Sequence, residues 1–348
     1  MRWLRARLEL STSDSAETGA VNVIVVILMT ALLGFTAIVV DVGLAYAERS
    51  QLQNGADAAA LAVAQECARD LAGAECAPTS PMAHSLADQN ALDGMSSVRA
   101  VALDKPRGEV VVTLGAKENG ATANRVSLFF ARALGFDSAE VSARSKAVWG
   151  SPVAGRTAFP LAVSVCQVEN RVNGALQRLQ AHGSGANPVC NYGPSGQSVP
   201  GGFGWITPEP NVCGGYIDLA LNEGGSDPGN NSPPNCSTTL QKWASEINAG
   251  RAVTILMPVF NKVTGTGSSA AYGLTAFAAF DVAGWKFSGS DSLPATFRNT
   301  AAYVGSAQEC VGSCRGVIGK FITYVSLDDG YALGPNHRYG ASIVRLGE

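Results

Sequence analysis

Residues 20–64 read AVNVIVVILMTALLGFTAIVVDVGLAYAERSQLQNGADAAALAVA, and the first 21 of them, Ala20 to Val40, carry no charge. At about 1.5 Å of rise per residue, a helix of that length spans roughly 31 Å, the hydrocarbon thickness of a bilayer. Asn22, Thr30 and Thr36 are the polar side chains of the run. Threonine hydroxyls can bond back to their own helix carbonyls, and Asn22 lies near the interface, so a membrane helix tolerates all three. Arg2, Arg5 and Arg7 precede the run, whereas the first twenty residues after it offer only Arg49, beside Asp41 and Glu48. The positive-inside bias then predicts a single-pass protein with a cytoplasmic N-terminus and the bulk of the chain extracytoplasmic. A cleaved signal peptide is the rival reading, because Ala45-Tyr46-Ala47 has the A-x-A form. A signal's apolar region is usually about 7 to 15 residues, shorter than this one, so retention is the reading adopted.

The rest of the quoted stretch is polar and alanine-loaded. No proline occurs from Leu44 until Pro78, and Leu52, Ala56, Ala59, Ala60 and Val63 recur at helical intervals. The spacing predicts that the membrane helix continues outward as one rod. Gly55 with Ala59, and Ala56 with Ala60 and Ala64, form a stripe of small residues that lets another backbone approach closely. The stripe, Leu52, Gly55, Ala56, Ala59 and Ala60, can seat a helix of another protein or pack on its own domain; the sequence leaves both open.

Glu17 to Ala64 resembles the N-terminal segment of TadG-like (TadE/TadG-type) proteins of tight-adherence (Flp) pilus assembly. In that family a membrane helix leads into a pattern matched here by Asp41, Gly43, Tyr46, Arg49, Leu52, Gln53, Asp57, Ala58, Ala59, Ala60, Leu61, Ala62 and Ala64. The resemblance implies a non-catalytic envelope component of a pilus or secretion apparatus. Its partners would be the lipid bilayer and other Tad/Flp proteins, met through the membrane-proximal helix. Some members carry a von Willebrand A-type domain with a D-x-S-x-S metal site; this sequence lacks that string, so no metal is carried over. Prepilins of the same system have glutamate five residues after the cleaved glycine, but Ile24 stands five after Gly19. More loosely, Val199–Ile206, Asp227–Cys236 and Cys314–Phe321 resemble actinobacterial members.

The chain of 348 residues is long enough for two ordinary domains. A net charge of -3, with 25 Lys+Arg against 28 Asp+Glu and no basic block, argues against nucleic acid as a partner. All eight cysteines, Cys67, Cys76, Cys166, Cys190, Cys213, Cys236, Cys310 and Cys314, follow the membrane segment. An even count in an oxidising compartment reads as a disulfide framework. Eight cysteines allow 105 connectivities; the expectation adopted pairs neighbours in sequence. Cys310 and Cys314 in CVGSC could instead be half of a metal site with His337, but the second close ligand pair that zinc sites bring is missing.

Beyond the rod, VRAVAL and EVVVTL flank Lys105-Pro106-Arg107-Gly108, which predicts a hairpin over Val98–Leu114. Val126, Phe129, Phe130, Ala133 and Leu134 fall at helical spacing before Gly135, predicting an amphipathic helix. Val141, Ala143, Ala147 and Trp149 alternate with polar residues, predicting a strand. Residues 150–155, GSPVAG, read as a linker. Residues 156–348 then read as a disulfide-linked, mainly β domain, whose stretch Gly183–Asn235 holds 12 glycines and 8 prolines. The predicted organisation is α+β: a cytoplasmic N-terminus (1–19), the membrane helix (20–40), an extracytoplasmic helix with a small α+β unit (41–149), the linker and the β domain.

No nucleophile elbow, phosphate loop, H-E-x-x-H or dinucleotide fingerprint occurs. His84, His182 and His337 each stand without a neighbouring partner. Asp328-Asp329, and Asp227 with Asn230 and Asn231, lack the spacing of a calcium loop and suit turns. No enzyme and no cofactor is expected. The alternative to an assembly component is a membrane-anchored surface module binding a protein or glycan through Phe203 and Trp205 in GGFGWI, although large aromatics in such loops more often plug a core.

Overall fold

The computed structural model describes residues 14–169, 171–172, 174–181, 189–221, 223–225, 234–266, 269–325, 330–335 and 340–347. Helix α1 (Asp14–Arg69) runs unbroken for 56 residues, about 84 Å at 1.5 Å per residue. It contains no proline, and Thr30 and Thr36 donate their hydroxyls to Val26 O and Leu32 O at 2.8 and 2.9 Å, so neither hydroxyl is left unpaired in an apolar surround. Between Val21 and Val40 every large apolar side chain is exposed, from 45% at Val25 to 68% at Phe35. Further along the same helix the surroundings invert: Leu52, Ala56, Ala59, Ala60, Val63 and Ala64 are buried.

The chain divides into two compact units. The first takes the chain through Ala59, with Ala83–Ala100 and Val112–Arg144; the second takes Ala60–Met82, Val101–Val111 and Ser145 onward. Helix α1 is followed by α2 (Pro81–Gln89), β1 (Ser96–Asp104), β2 (Glu109–Ala116), β3 (Arg125–Ser127) and β4 (Ser138–Glu140); β3, β4 and most of α2 belong to the first unit, while α1, β1 and β2 each have residues in both. Strands β1 and β2 are neighbours in a sheet, and the turn between them lies where Lys105–Gly108 predicts it, with Gly108 N donating to Lys105 O at 3.2 Å. Val110, Val112 and Leu114 are buried on alternate positions of β2, the period of a strand with one face on a core.

The helix predicted over Val126–Leu134 is not formed. Val126 lies in β3, opposite Ala139 of β4, and only Ala131–Leu134 makes a single 3-10 turn, closed by Gly135 at φ +88°. Pairing commits the backbone of Arg125–Ser127 to a strand, and Leu128 N continues the hairpin by donating to Asp137 O at 3.0 Å. Three residues of strand and four of 3-10 turn use up the length a helix would have needed.

Strand β5 (Ser142–Arg156), in the second unit from Ser145 on, is followed by β6 (Leu161–Ser164), α3 (Val165–Val168), β7 (Gln177–Gln180), β8 (Phe203–Trp205), β9 (Tyr216–Asp218) and β10 (Glu223–Gly225). Then come α4 (Ser237–Asn248), β11 (Thr254–Thr264), β12 (Ala271–Lys286), β13 (Thr296–Phe297), α5 (Ala301–Val304), β14 (Gly316–Ile322), β15 (Tyr324–Val325), β16 (Tyr331–Gly334) and β17 (Ser342–Leu346). One sheet runs β7-β14-β12-β11-β6-β8, with β10 and β13 also on β12. Strand β5 pairs antiparallel with β17, β16 and β9.

The predicted linker, 150–155, is therefore the second half of β5. Its glycines serve close approach rather than freedom: a Cβ on Gly155 would meet the Tyr331 ring at 2.2 Å. Pro152 stands beside an irregularity in the β5–β16 pairing, between Ala332 and Leu333, the kind of place where a strand accepts proline. The core of this unit is aromatic. Phe159 lies 5.1 Å from Trp243 and 5.5 Å from Trp205 between ring centroids, and Trp285 packs 4.8 Å from Phe297. Helix α4 delivers Leu240, Trp243 and Ala244, spaced i, i+3, i+4, to that core.

Candidate functional site

The part of the first unit where α1 leaves its charge-free run concentrates the polar anchoring of that unit. Asp41, the first charged residue after the run, is almost wholly buried. Its carboxylate accepts from three consecutive backbone amides: Phe129 N to Oδ1 at 2.8 Å, Phe130 N to Oδ2 at 3.0 Å and Ala131 N to Oδ2 at 2.6 Å. This is the geometry of a helix N-cap supplied from 88 residues away in sequence. Desolvation pushes the Asp41 carboxyl up, but the bonds from Ala131, Phe130 and Phe129 together outweigh it and hold the group below the ordinary carboxylate range.

Seven residues on, Glu48 has the opposite environment. Burial, and then the like charges of Asp93 and Glu118, push its carboxyl up. Gln51 Oε1 accepts from Leu92 N at 2.7 Å, and Gln53 Nε2 donates to Asp57 Oδ1 at 2.9 Å and Arg144 O at 3.4 Å. The polar face of the rod thus latches the loop after α2 and the start of β5.

The small stripe is occupied by this chain itself. Around Gly55, where an added Cβ would stand 3.2 Å from Leu114 Cδ1 and 3.4 Å from Ala87 O, α2 and β2 approach the helix backbone as closely as glycine permits. Leu52, Ala56 and Ala59 are at most 2% exposed beside it, and Ala60 is fully buried. Of the two openings left by the sequence, the stripe takes the intramolecular one, and a partner helix would find that face covered.

Below Asp41 lies an apolar groove of about 1010 Å³, lined on one side by α1 between Thr30 and Ala45 and on the other by Leu128, Phe130, Ala133 and Leu134. Sequence reasoning missed this feature, having assigned Phe130, Ala133 and Leu134 to an amphipathic helix.

Residues 19–66 match the family model of Flp pilus-assembly TadE/G-like proteins. The TadE/G-like segment is thus the membrane helix plus the packed stripe, and it includes Asp41, Gln51, Gln53 and Gly55. It ends at Glu66, so the three stretches with looser actinobacterial resemblance lie beyond it. Comparison with curated proteins and with solved structures returned no match. α1 is a candidate single membrane span by length and composition.

The cysteines pair as Cys67–Cys76, Cys166–Cys190, Cys213–Cys236 and Cys310–Cys314. Cys310 and Cys314 are bonded to each other and offer no thiolate to a metal. Phe203 and Trp205 are buried in the aromatic core, 5.5 Å apart between centroids, so a ligand platform built on them is not available. His84 is exposed on α2. His182, His337, Asp227, Asn230, Asn231, Asp328 and Asp329 lie outside the described residues.

Proposed function

We propose that this chain is a non-catalytic, membrane-anchored, extracytoplasmic component of a Flp/Tad-type pilus assembly or secretion apparatus. The family match over residues 19–66 carries this reading, because it covers the apolar run together with the stripe that packs on α2 and β2. The side of the membrane is supported by Arg2, Arg5 and Arg7 before the run and by eight cysteines after it, since disulfides persist in oxidising compartments. The absence from the sequence of any catalytic motif supports a scaffolding role. With the small stripe already filled, partners meet other surfaces of the protein.

Affinity purification of the full chain from solubilised membranes, followed by mass spectrometry, tests the assignment. Co-purifying pilus-assembly proteins, together with loss of pili on deletion of the gene, are expected; a normal complement of pili in the deletion strain overturns it. External protease on intact protoplasts should digest the chain after Asp41, and protection of that region would reverse the topology.

A further inference from the structure

We propose that the loop Leu128–Phe136 is a second membrane contact, immersed beside α1 in the leaflet at the Asp41 end of the span, with lipid acyl chains filling the groove between them. The inference rests on reading Ala20–Val40 as a membrane span.

Depth is the first argument. The loop is tied to α1 at Asp41, one residue past the charge-free run, and the groove it lines with α1 extends back to Thr30. Eleven residues of helix correspond to about 16 Å, so the groove opens at hydrocarbon level, on a helix surface that is exposed on its large apolar side chains throughout.

The second argument is chemical. Phe129 and Leu134 are 78% and 73% exposed, and Phe136 is exposed beside them. Four large apolar side chains, with Phe130 the fourth, project from one nine-residue loop, an arrangement that water disfavours and an acyl-chain environment rewards.

The backbone supplies a third argument, independent of the other two. A loop in water can leave its amides to solvent, but one in hydrocarbon cannot. Here Leu128 N donates to Asp137 O, the amides of Phe129, Phe130 and Ala131 go to Asp41, Ala133 N goes to Phe130 O, Gly135 N to Arg132 O and Phe136 N to Ala131 O. Asp41 therefore acts as the device that lets an irregular segment enter lipid. The hydroxyls of Thr30 and Thr36 are spent on their own helix, so the α1 wall offers a polar partner little to bind. Arg132, paired with Asp137 at 3.5 Å and well exposed, marks the edge that stays at headgroup level.

The test uses the unmodified full chain in nanodiscs containing phosphatidylcholine with a diazirine in its acyl chain. After photolysis and digestion, adducts are expected on the span and on peptides covering Val126–Arg144, with none on Pro81–Arg99. Label on the span without label on Val126–Arg144 overturns the proposal and leaves the anchor intact. A span without label removes the anchor reading and this proposal with it. A second measurement places p-benzoylphenylalanine at Leu134: lipid mass increments support the proposal, whereas cross-links to a second copy or to another protein's helix overturn it.

Discussion

Val21–Val40 and the core around Phe159, Trp205, Trp243 and Trp285 are both strongly apolar, yet the large side chains of one are exposed within the chain and those of the other are almost fully buried. The difference is one of solvent. The second unit collects its aromatics from Phe159 ahead of β6 and from β8, α4 and β12, and excludes water by folding. Among the described residues, the large apolar side chains of the candidate span are left exposed, and a bilayer is the solvent that suits them. Helix α1 passes from one regime to the other: its large apolar side chains are exposed over Val21–Val40, whereas Leu52, Ala56 and Ala59 are buried beside α2 and β2.

The largest effect that could break this comparison is at Trp285. Trp285→Ala should destabilise the second unit by about 3–5 kcal/mol, as for other buried aromatics, while membrane partitioning stays unchanged. Denaturant unfolding monitored by fluorescence and membrane flotation read the two arms; a change in flotation would show that the two apolar regions are not independent. Removing Cys213–Cys236 by double substitution to alanine should cost about 2–4 kcal/mol, since that crosslink restrains a long turn-rich loop in the unfolded chain. Differential scanning calorimetry measures it, and an unchanged transition would mean that the loop orders without its staple.

The mirror-image perturbation is Leu32→Arg. A charge at the centre of a span costs about 2.5–3.5 kcal/mol of insertion, so the fraction of chain in membranes should fall while the melting of the second unit stays as it was. A sharper contrast uses one chemistry at two places on one helix. Ala59→Leu, at a fully buried position, should destabilise the first unit by about 1–3 kcal/mol through overpacking, whereas Ala31→Leu in the exposed half should leave stability unchanged. Equal effects would erase the distinction between the two halves of α1.

The smallest effects are electrostatic and opposite in sign. Asp41 has a folded-state value below its unfolded one, so its contribution is present above the ordinary carboxylate range and is lost as the pH falls through the lowered value. Asp41→Asn should reduce hydrogen-exchange protection at Phe129–Ala131 at neutral pH. Glu48 has a raised value, so its penalty is present at neutral pH and is relieved as the pH falls through that value. Glu48→Gln should therefore raise the melting temperature slightly near neutrality and not at acid pH; a loss of stability would show that the carboxylate has a favourable partner.

The sequence by itself determined those features that depend on local period and composition. A charge-free run of bilayer length, a proline-free alanine stripe at three- and four-residue spacing, a proline-glycine turn between alternating strands and the β texture after Arg156 are all properties of neighbours in the chain. Tertiary structure alone decided the rest, because the deciding partner lies far away in sequence. Helical spacing at Val126–Leu134 lost to pairing with β4 and to a carboxylate at Asp41 that captured three of its amides. Glycine and proline in 150–155 read as a linker, yet Gly155 is small so that Tyr331 can lie against β5, Gly150 so that the backbone of Gly334 can, and the proline stands at an irregularity in the ladder. The stripe announced close packing but not with what, since small side chains say only that something comes near; it was Leu114 and Ala87, folding back onto Gly55, that filled the place.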